Sequence, residues 1–239
     1  MALTDEAISK IRDLIQADKL APGSRLPPEP QLSAQLGLSR SGLREAIKAL
    51  EMARVVDVRR GDGTYVTSLA PQLLLEGFGY AVELLRDESL PQIMEVRRLL
   101  EPAATGLAAI RISDAQLDEL GDLLERMRAA ADDAELLIGY DADFHRTVAA
   151  ATGNESLMSL LEGLSGRTMR ARLWRAMTTD NVAGRTITEH ESIYQALRAR
   201  DQLLAHSTAL VHVNTSEAWL RALLGGAAAE TATEAVQTG

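Results

Sequence analysis

The sequence has no cysteine. Disulfides, thiolate metal sites and cysteine nucleophiles are thereby excluded, and any metal has to be held by His, Asp or Glu. Aromatic residues are scarce, at 3%. Ala and Leu supply most of the apolar surface instead, which favours helices over sheets because both lose little on entering a helix. No apolar run reaches the roughly 18–20 residues that span a bilayer. The stretch Met1–Lys10 is polar and has no apolar signal core, so a cytoplasmic protein with no membrane partner is the expectation.

With 239 residues, 46% of them hydrophobic, the chain suits two domains, each with a real core. The net charge of −9 is unevenly spread. Residues 1–70 carry 10 Lys/Arg and 9 Asp/Glu, so nearly all the acidity lies further on. Charge is screened within about 8 Å at physiological salt, and a local basic face can therefore still meet phosphate.

The first segment is amphipathic, with Ile8, Ile11, Leu14 and Ile15 on one helix face. Leu20-Ala21-Pro22-Gly23-Ser24 supplies turn chemistry. A second helix is expected to start near Pro28 and to stop at Gly37, since proline suits a first turn and glycine a helix end. Ser39 is a suitable N-cap for a third helix through Leu43, Ile47 and Leu50. Two short helices joined by a tight glycine turn form a helix-turn-helix pattern. Val55–Arg60 and Thr64–Thr67, flanking Gly61-Asp62-Gly63, read as a hairpin. The expected fold is thus mainly α. Residues 1–68 form a winged helix-turn-helix, 72–224 an all-helical bundle, and the small, polar stretch 225–239 a disordered tail.

Arg40, Arg44 and Lys48 recur every four residues, which puts them on one helix face opposite the apolar stripe. A helix built this way can enter a major groove. Arginine pairs bidentately with guanine there, and Lys48 at the far end is placed for phosphate. Arg59 and Arg60 sit on the hairpin, in position for backbone or minor-groove contact. In order and spacing, PGSRLPPEPQLSAQLGLSRSGLREAIKALE followed by VVDVRRGDGTYV resembles the N-terminal domain of the GntR family of repressors. The resemblance covers about the first 67 residues and implies DNA contacts at Arg40, Arg44 and the wing around Gly61 and Gly63. Two positions depart from the family pattern. Pro30 stands where an arginine is usual, and Arg54 stands where glycine is usual. If the second position needs a positive φ, Arg54 is strained there; a phosphate contact is the gain it could bring.

Only four histidines occur. His145 follows Asp141 by four residues and shares its helix face, with Phe144 beside them as a core residue. His190 and His212 come from two later helices. Carboxylate and imidazole together suit Zn²⁺, Ni²⁺ or Mn²⁺, and facing helices of a bundle can close on such an ion. Each histidine can equally be a hydrogen-bonded core side chain; His206 is expected to be exposed. Glu95–Pro102, Asp141–His145, Gly153-Asn154, Glu189-His190 and His212 resemble the FadR-type (FCD) C-terminal ligand-binding domain over roughly residues 72–224. That resemblance implies a divalent metal on Asp141, His145, His190 and His212, with positions left for a small carboxylate effector whose other end meets Arg97. It also implies a homodimer on a short operator palindrome. Without the resemblance, Arg97 reads as a surface salt bridge to Glu101, and Arg170 or Arg172 is a further candidate to face an anion. An Asp/His₃ site is also compatible with metal-dependent hydrolysis or with a purely structural ion. No general base is evident for hydrolysis, because Glu189 and Glu191, as helix neighbours of His190, are expected to point away from the site.

Overall fold

The computed structural model describes residues 2–17, 20–85, 89–178 and 182–237. Among these the chain forms eleven helices and one two-stranded sheet, the mainly-α architecture the sequence implies. It divides into two units, Met1–Gly77 and Phe78–Gly239. The division falls later than the linker expected around residue 70, because Leu69 packs on the first core and Glu76 pairs with Arg54.

The first unit runs α1 (Ala2–Gln16), α2 (Glu29–Leu36), α3 (Arg40–Met52), β1 (Val56–Arg59), β2 (Gly63–Val66) and α4 (Pro71–Leu74). α2 begins one residue after Pro28 and carries Pro30 in its first turn, where a missing N–H leaves nothing unsatisfied. It ends at Gly37 in the left-handed conformation, φ 64°. There Leu38 N–H bonds the Ser33 carbonyl at 3.0 Å and Gly37 N–H the Ala34 carbonyl at 3.3 Å, closing the helix and reversing the chain. Ser39 then caps α3 by accepting from Gly42 N–H at 3.1 Å. Ile11, Leu32, Leu43, Ile47, Leu50, Val56 and Val66 close a single core behind both helices. β1 and β2 pair antiparallel from Val56–Val66 to Arg59–Gly63.

α3 ends in the same double closure as α2. Val55 N–H bonds the Leu50 carbonyl at 2.9 Å and Arg54 N–H the Glu51 carbonyl at 3.0 Å. This puts Arg54 at φ 59°, so the position where the family usually has glycine does need a positive φ and Arg54 is strained there. Its guanidinium reaches Glu76 at 2.8 Å, and both side chains remain largely exposed. An exposed pair contributes at most about 1 kcal/mol, whereas a left-handed non-glycine residue costs about 1–2 kcal/mol. Arg54→Gly is therefore expected to raise hydrogen-exchange protection of the β1 and β2 amides slightly. Loss of protection would mean that the Glu76 pair outweighs the strain.

The second unit contains α5 (Glu76–Glu83, its first turn shared with the first unit), α6 (Leu90–Ala109), α7 (Asp114–Ala129), α8 (Ala134–Ala151), α9 (Glu155–Thr178), α10 (Val182–Arg198) and α11 (Gln202–Gln237). One helix is expected over 72–86. α4 and α5 instead break at Leu75, and residue 86 lies outside the described residues. Ser113 and Gln116 form a reciprocal capping box at the start of α7, and Asp133 caps α8. The core gathers Ala108, Ile112, Leu120, Leu124, Met127, Phe144, Val148, Ile193 and Leu197. Small residues let α6 and α11 approach closely: a Cβ on Gly106 would lie 3.0 Å from the Gln202 carbonyl oxygen. α11 continues helically through 225–237, where a disordered tail is expected; residues 238 and 239 lie outside the described residues. Alanine, the best helix former, dominates that stretch and extends the helix past Gly225-Gly226.

Candidate functional site

Arg40, Arg44 and Lys48 lie together on the exposed face of α3, with Leu43, Ala46, Ile47 and Leu50 buried behind them. Arg44 Nε donates to Glu29 Oε2 at 2.7 Å, so the first turn of α2 orients the central arginine of α3. Lys48 is 3.5 Å from Glu45. On the hairpin, Arg59 donates to Asp57 at 2.9 Å and lies 4.2 Å over the Tyr65 ring. Arg60 and Gly61 are exposed at the tip, and Gly61 has φ 77°.

Two contributors here are not apparent from the sequence. One is Glu29. The other is Arg25, whose guanidinium donates to the Asp62 carbonyl across the turn. Gly23, Ser24 and Leu26 also exchange backbone bonds of 2.8–2.9 Å with Val66 and Thr64, so this segment acts as a third strand beside the hairpin. A Cβ on Gly63 would sit 2.6 Å from Arg25 Nε, which ties that glycine to the arginine's position.

In the helical unit, α8 supplies Asp141 and His145, α10 supplies His190, and α11 supplies His212. One ligand atom from each lies within 4.8 Å of the other three. His145 Nε2 is 3.2 Å from His212 Nε2, and His190 Nε2 is 3.2 Å from Asp141 Oδ1. Ligand atoms around an ion bound at about 2.1 Å stand about 3 Å apart or somewhat more.

The hydrogen bonds behind the rings fix their tautomers. His190 Nδ1 faces the Thr186 carbonyl at 2.8 Å, and a carbonyl only accepts, so Nδ1 carries the proton. His212 Nδ1 likewise donates to Glu189 Oε2 at 2.9 Å. Both Nε2 lone pairs therefore point into the cluster, and His190 Nε2 is buried with no hydrogen-bond partner. A carboxylate or carbonyl behind a ligating imidazole is the usual outer support of a metal ligand. Glu189, expected to point away, is one of these supports.

Electrostatics favour the metal-competent protonation states. Burial, reinforced by the neighbouring histidines, pushes His145 down to about 3 against the pull of Asp141 and Glu101. Burial likewise lowers His212, against the pull of Glu189. Burial would raise Asp141, but Arg172 and the histidines together hold it well below the usual carboxylate range. Asp141 is thus a carboxylate and His145 and His212 are neutral imidazoles near pH 7, and a carboxylate with imidazoles is a donor set that fits a borderline divalent ion.

Arg97 is 2% exposed, not a surface residue. It donates through Nε to Glu101 Oε1 and through Nη1 to Thr168 Oγ1, the latter at 2.7 Å. The guanidinium bonded to the cluster is that of Arg172, whose Nη1 donates to Asp141 Oδ2. Arg170 is exposed. Arg175 donates to Ser216 at 3.2 Å and lies 5.7 Å from the Trp219 ring centre. Phe144 is fully buried, its ring edge-on to His190 at 4.7 Å, and His206 is exposed. No described helix is long and apolar enough to cross a membrane.

A winged helix-turn-helix unit followed by a helical unit with a buried His/Asp cluster is the architecture of a bacterial transcriptional regulator. Residues 3–66 match the description "Bacterial regulatory proteins, gntR family", and residues 92–215 match the FCD domain. The HTH-type transcriptional regulator LutR of Bacillus subtilis (strain 168) is 32% identical over 209 residues, covering 85% of this chain and 94% of LutR. The galactonate operon transcriptional repressor of Escherichia coli (strain K12) is 29% identical over 221 residues, covering 89% and 94%. The solved structure of Streptococcus agalactiae GntR aligns with a TM-score of 0.62 at 27% identity, covering 90% of this chain and 98% of that one. The chain belongs to the GntR family of transcriptional regulators and carries an FCD domain.

Proposed function

We propose that the protein is a cytoplasmic, dimeric repressor whose operator affinity is set by a small carboxylate bound at a divalent metal in the helical unit. Zn²⁺, Ni²⁺ or Mn²⁺ would be held by Asp141, His145, His190 and His212. The observation that carries this reading is the buried, unpartnered Nε2 of His190, aimed at Asp141 and locked in its ligating tautomer by Thr186. A divalent ion bound there supplies a positive centre for a carboxylate oxygen. Arg97 and Arg172, both buried beside the cluster, supply the cationic surroundings that an anion needs once it leaves water.

Arg40 and Arg44 read base edges in the major groove, and Lys48, Arg59, Arg60 and the turn at Gly61 and Gly63 hold the backbone. A two-fold dimer then meets two half-sites of a palindrome. The acid changes operator affinity only to the extent that it prefers one arrangement of the protein over another. Relatives named for operons of galactonate and of L-lactate dehydrogenase support an acidic metabolite as effector.

The test is operator binding by metal-loaded and metal-stripped protein, titrated with small carboxylates. Carboxylate-dependent affinity in the loaded protein alone is the expected result. Equal responses, or none, in the two preparations would overturn the link between metal and effector.

A further inference from the structure

The solvent side of α6 carries an apolar stripe. Val96, Leu99, Ala103, Leu107 and Ile110 recur at spacings of three and four residues, which keeps them on one helix face. Val96, Leu99 and Ile110 are 40%, 63% and 52% exposed, Ala103 is exposed as well, and Leu107 is half-buried. Leu203 of α11, 80% exposed, widens the surface, since it follows Gln202, whose carbonyl packs against Gly106 of α6. None of the exposed residues of α6 from Val96 to Ile110 is charged, and the half-buried Arg98 is turned to Glu217 of α11 at 3.1 Å. Together these side chains expose on the order of 400 Å² of apolar surface, within the range of the largest patch on a monomer, which is often a functional one.

We propose that a second copy of the chain docks on this stripe, with α6 lying antiparallel on the partner's α6 across a two-fold axis at Ala103. This rests on the dimeric reading above and names the face that carries it. The stripe has the same spacing read from either end: Leu99 and Leu107 stand four residues to either side of Ala103, and Val96 and Ile110 seven. A two-fold contact needs a patch complementary to itself. The antiparallel arrangement sets Leu99 against the partner's Leu107 and Val96 against the partner's Ile110. It puts the smallest side chain on the axis, where two helices come closest. Charge points the same way. At a net charge of −9 two copies repel in general, and a face without charge lets them meet without setting like charges together. The area agrees: two copies bring on the order of 800 Å² of apolar surface, about half of a standard interface of roughly 1,600 Å², in which a polar rim supplies much of the remainder.

The experiment combines sedimentation of the full-length protein with cysteine cross-linking, which the cysteine-free chain makes unambiguous. Leu99→Glu is expected to weaken the dimer by at least about 100-fold, because each copy would bury a charge where it now buries a leucine. Leu136→Glu, on a leucine of α8 that is 51% exposed, is expected to sediment as the wild type does. A disulfide needs Cα atoms within about 7 Å of each other. Ala103→Cys, oxidised with glutathione disulfide, is therefore expected to give a covalent dimer, and Leu136→Cys is not. Val96→Cys mixed with Ile110→Cys is expected to link faster than either variant alone, which reads the antiparallel register. A folded Leu99→Glu protein with wild-type dimer affinity would overturn the proposal, and so would an Ala103→Cys protein that links no faster than Leu136→Cys. Both results leave the dimer itself standing. Should Leu99→Glu fail to fold, the cysteine series decides. A wild type that sediments only as a monomer overturns the dimeric reading and this one with it, so sedimentation of the unmutated chain tells the two failures apart.

Discussion

Purified His190→Ala is expected to hold almost no divalent metal, where the wild type holds about one ion per chain. His190 is fully buried, its tautomer is set by the Thr186 carbonyl, and its Nε2 has no other use in the fold. Removing it takes a whole ligand from the set. Removing only an outer support, as in Glu189→Gln, is expected to weaken affinity by about 10–100-fold, because His212 loses the carboxylate that orients it. His206→Ala, on an exposed side chain, keeps full metal content. Bound metal also stabilises the helices that converge on it, so chelation should lower the melting temperature of the wild type and leave that of His190→Ala unmoved. Elemental analysis of the three variants beside the wild type checks the series. Equal metal in wild type and His190→Ala would falsify the assignment of the cluster.

The second large effect concerns DNA. Arg44→Ala is expected to weaken operator binding by about 1–3 kcal/mol per half-site, and to relax base preference at the position that Arg44 reads. Its pairing with Glu29 sharpens the expectation, since truncating Arg44 would leave that carboxylate uncompensated on the proposed recognition face. Lys48→Ala should behave differently. It lowers affinity similarly for all sequences and reduces the slope of log K against log salt by about 1. Anisotropy titrations on an operator selected from random duplexes, at several salt concentrations, separate the two. Arg44→Ala binding with wild-type affinity and preference would remove this face of α3 from the recognition surface.

The first unit was largely legible because its signals are local. Gly37 and Ser39 mark a turn and a cap within three residues, and the glycine that the family pattern places where Arg54 stands raised the question of the positive φ found there. The pairing of Asp141 with His145 was equally legible, since one helical turn joins them. The arrival of His190 and His212 beside them depends on how α10 and α11 pack, which no local pattern encodes; family resemblance supplied it. Arg172 was named only as one of a pair with Arg170, and the sequence could not choose between them, because charges on α9 surround the helix and mark no buried face. Glu189 was misjudged for a related reason. It does point away from His190 around α10, but α11 packs on that flank and brings His212 to it. Arg97 and Glu101 were correctly joined as a pair four residues apart. Their depth was not legible, because a surface pair and a buried one have the same spacing.

The contact between Arg175 and Trp219 also gives the protein an optical handle. Its two tryptophans, Trp174 and Trp219, both belong to the helical unit, on the same two helices that carry Arg172 and His212. The DNA-reading unit has none. Indole emission from the intact chain therefore reports on the helical unit alone, even with operator bound, and a cation beside one ring makes that emission sensitive to small shifts of α9 against α11. Metal and acid titrations can be followed in the unlabelled protein by light from the unit they are expected to reorganise.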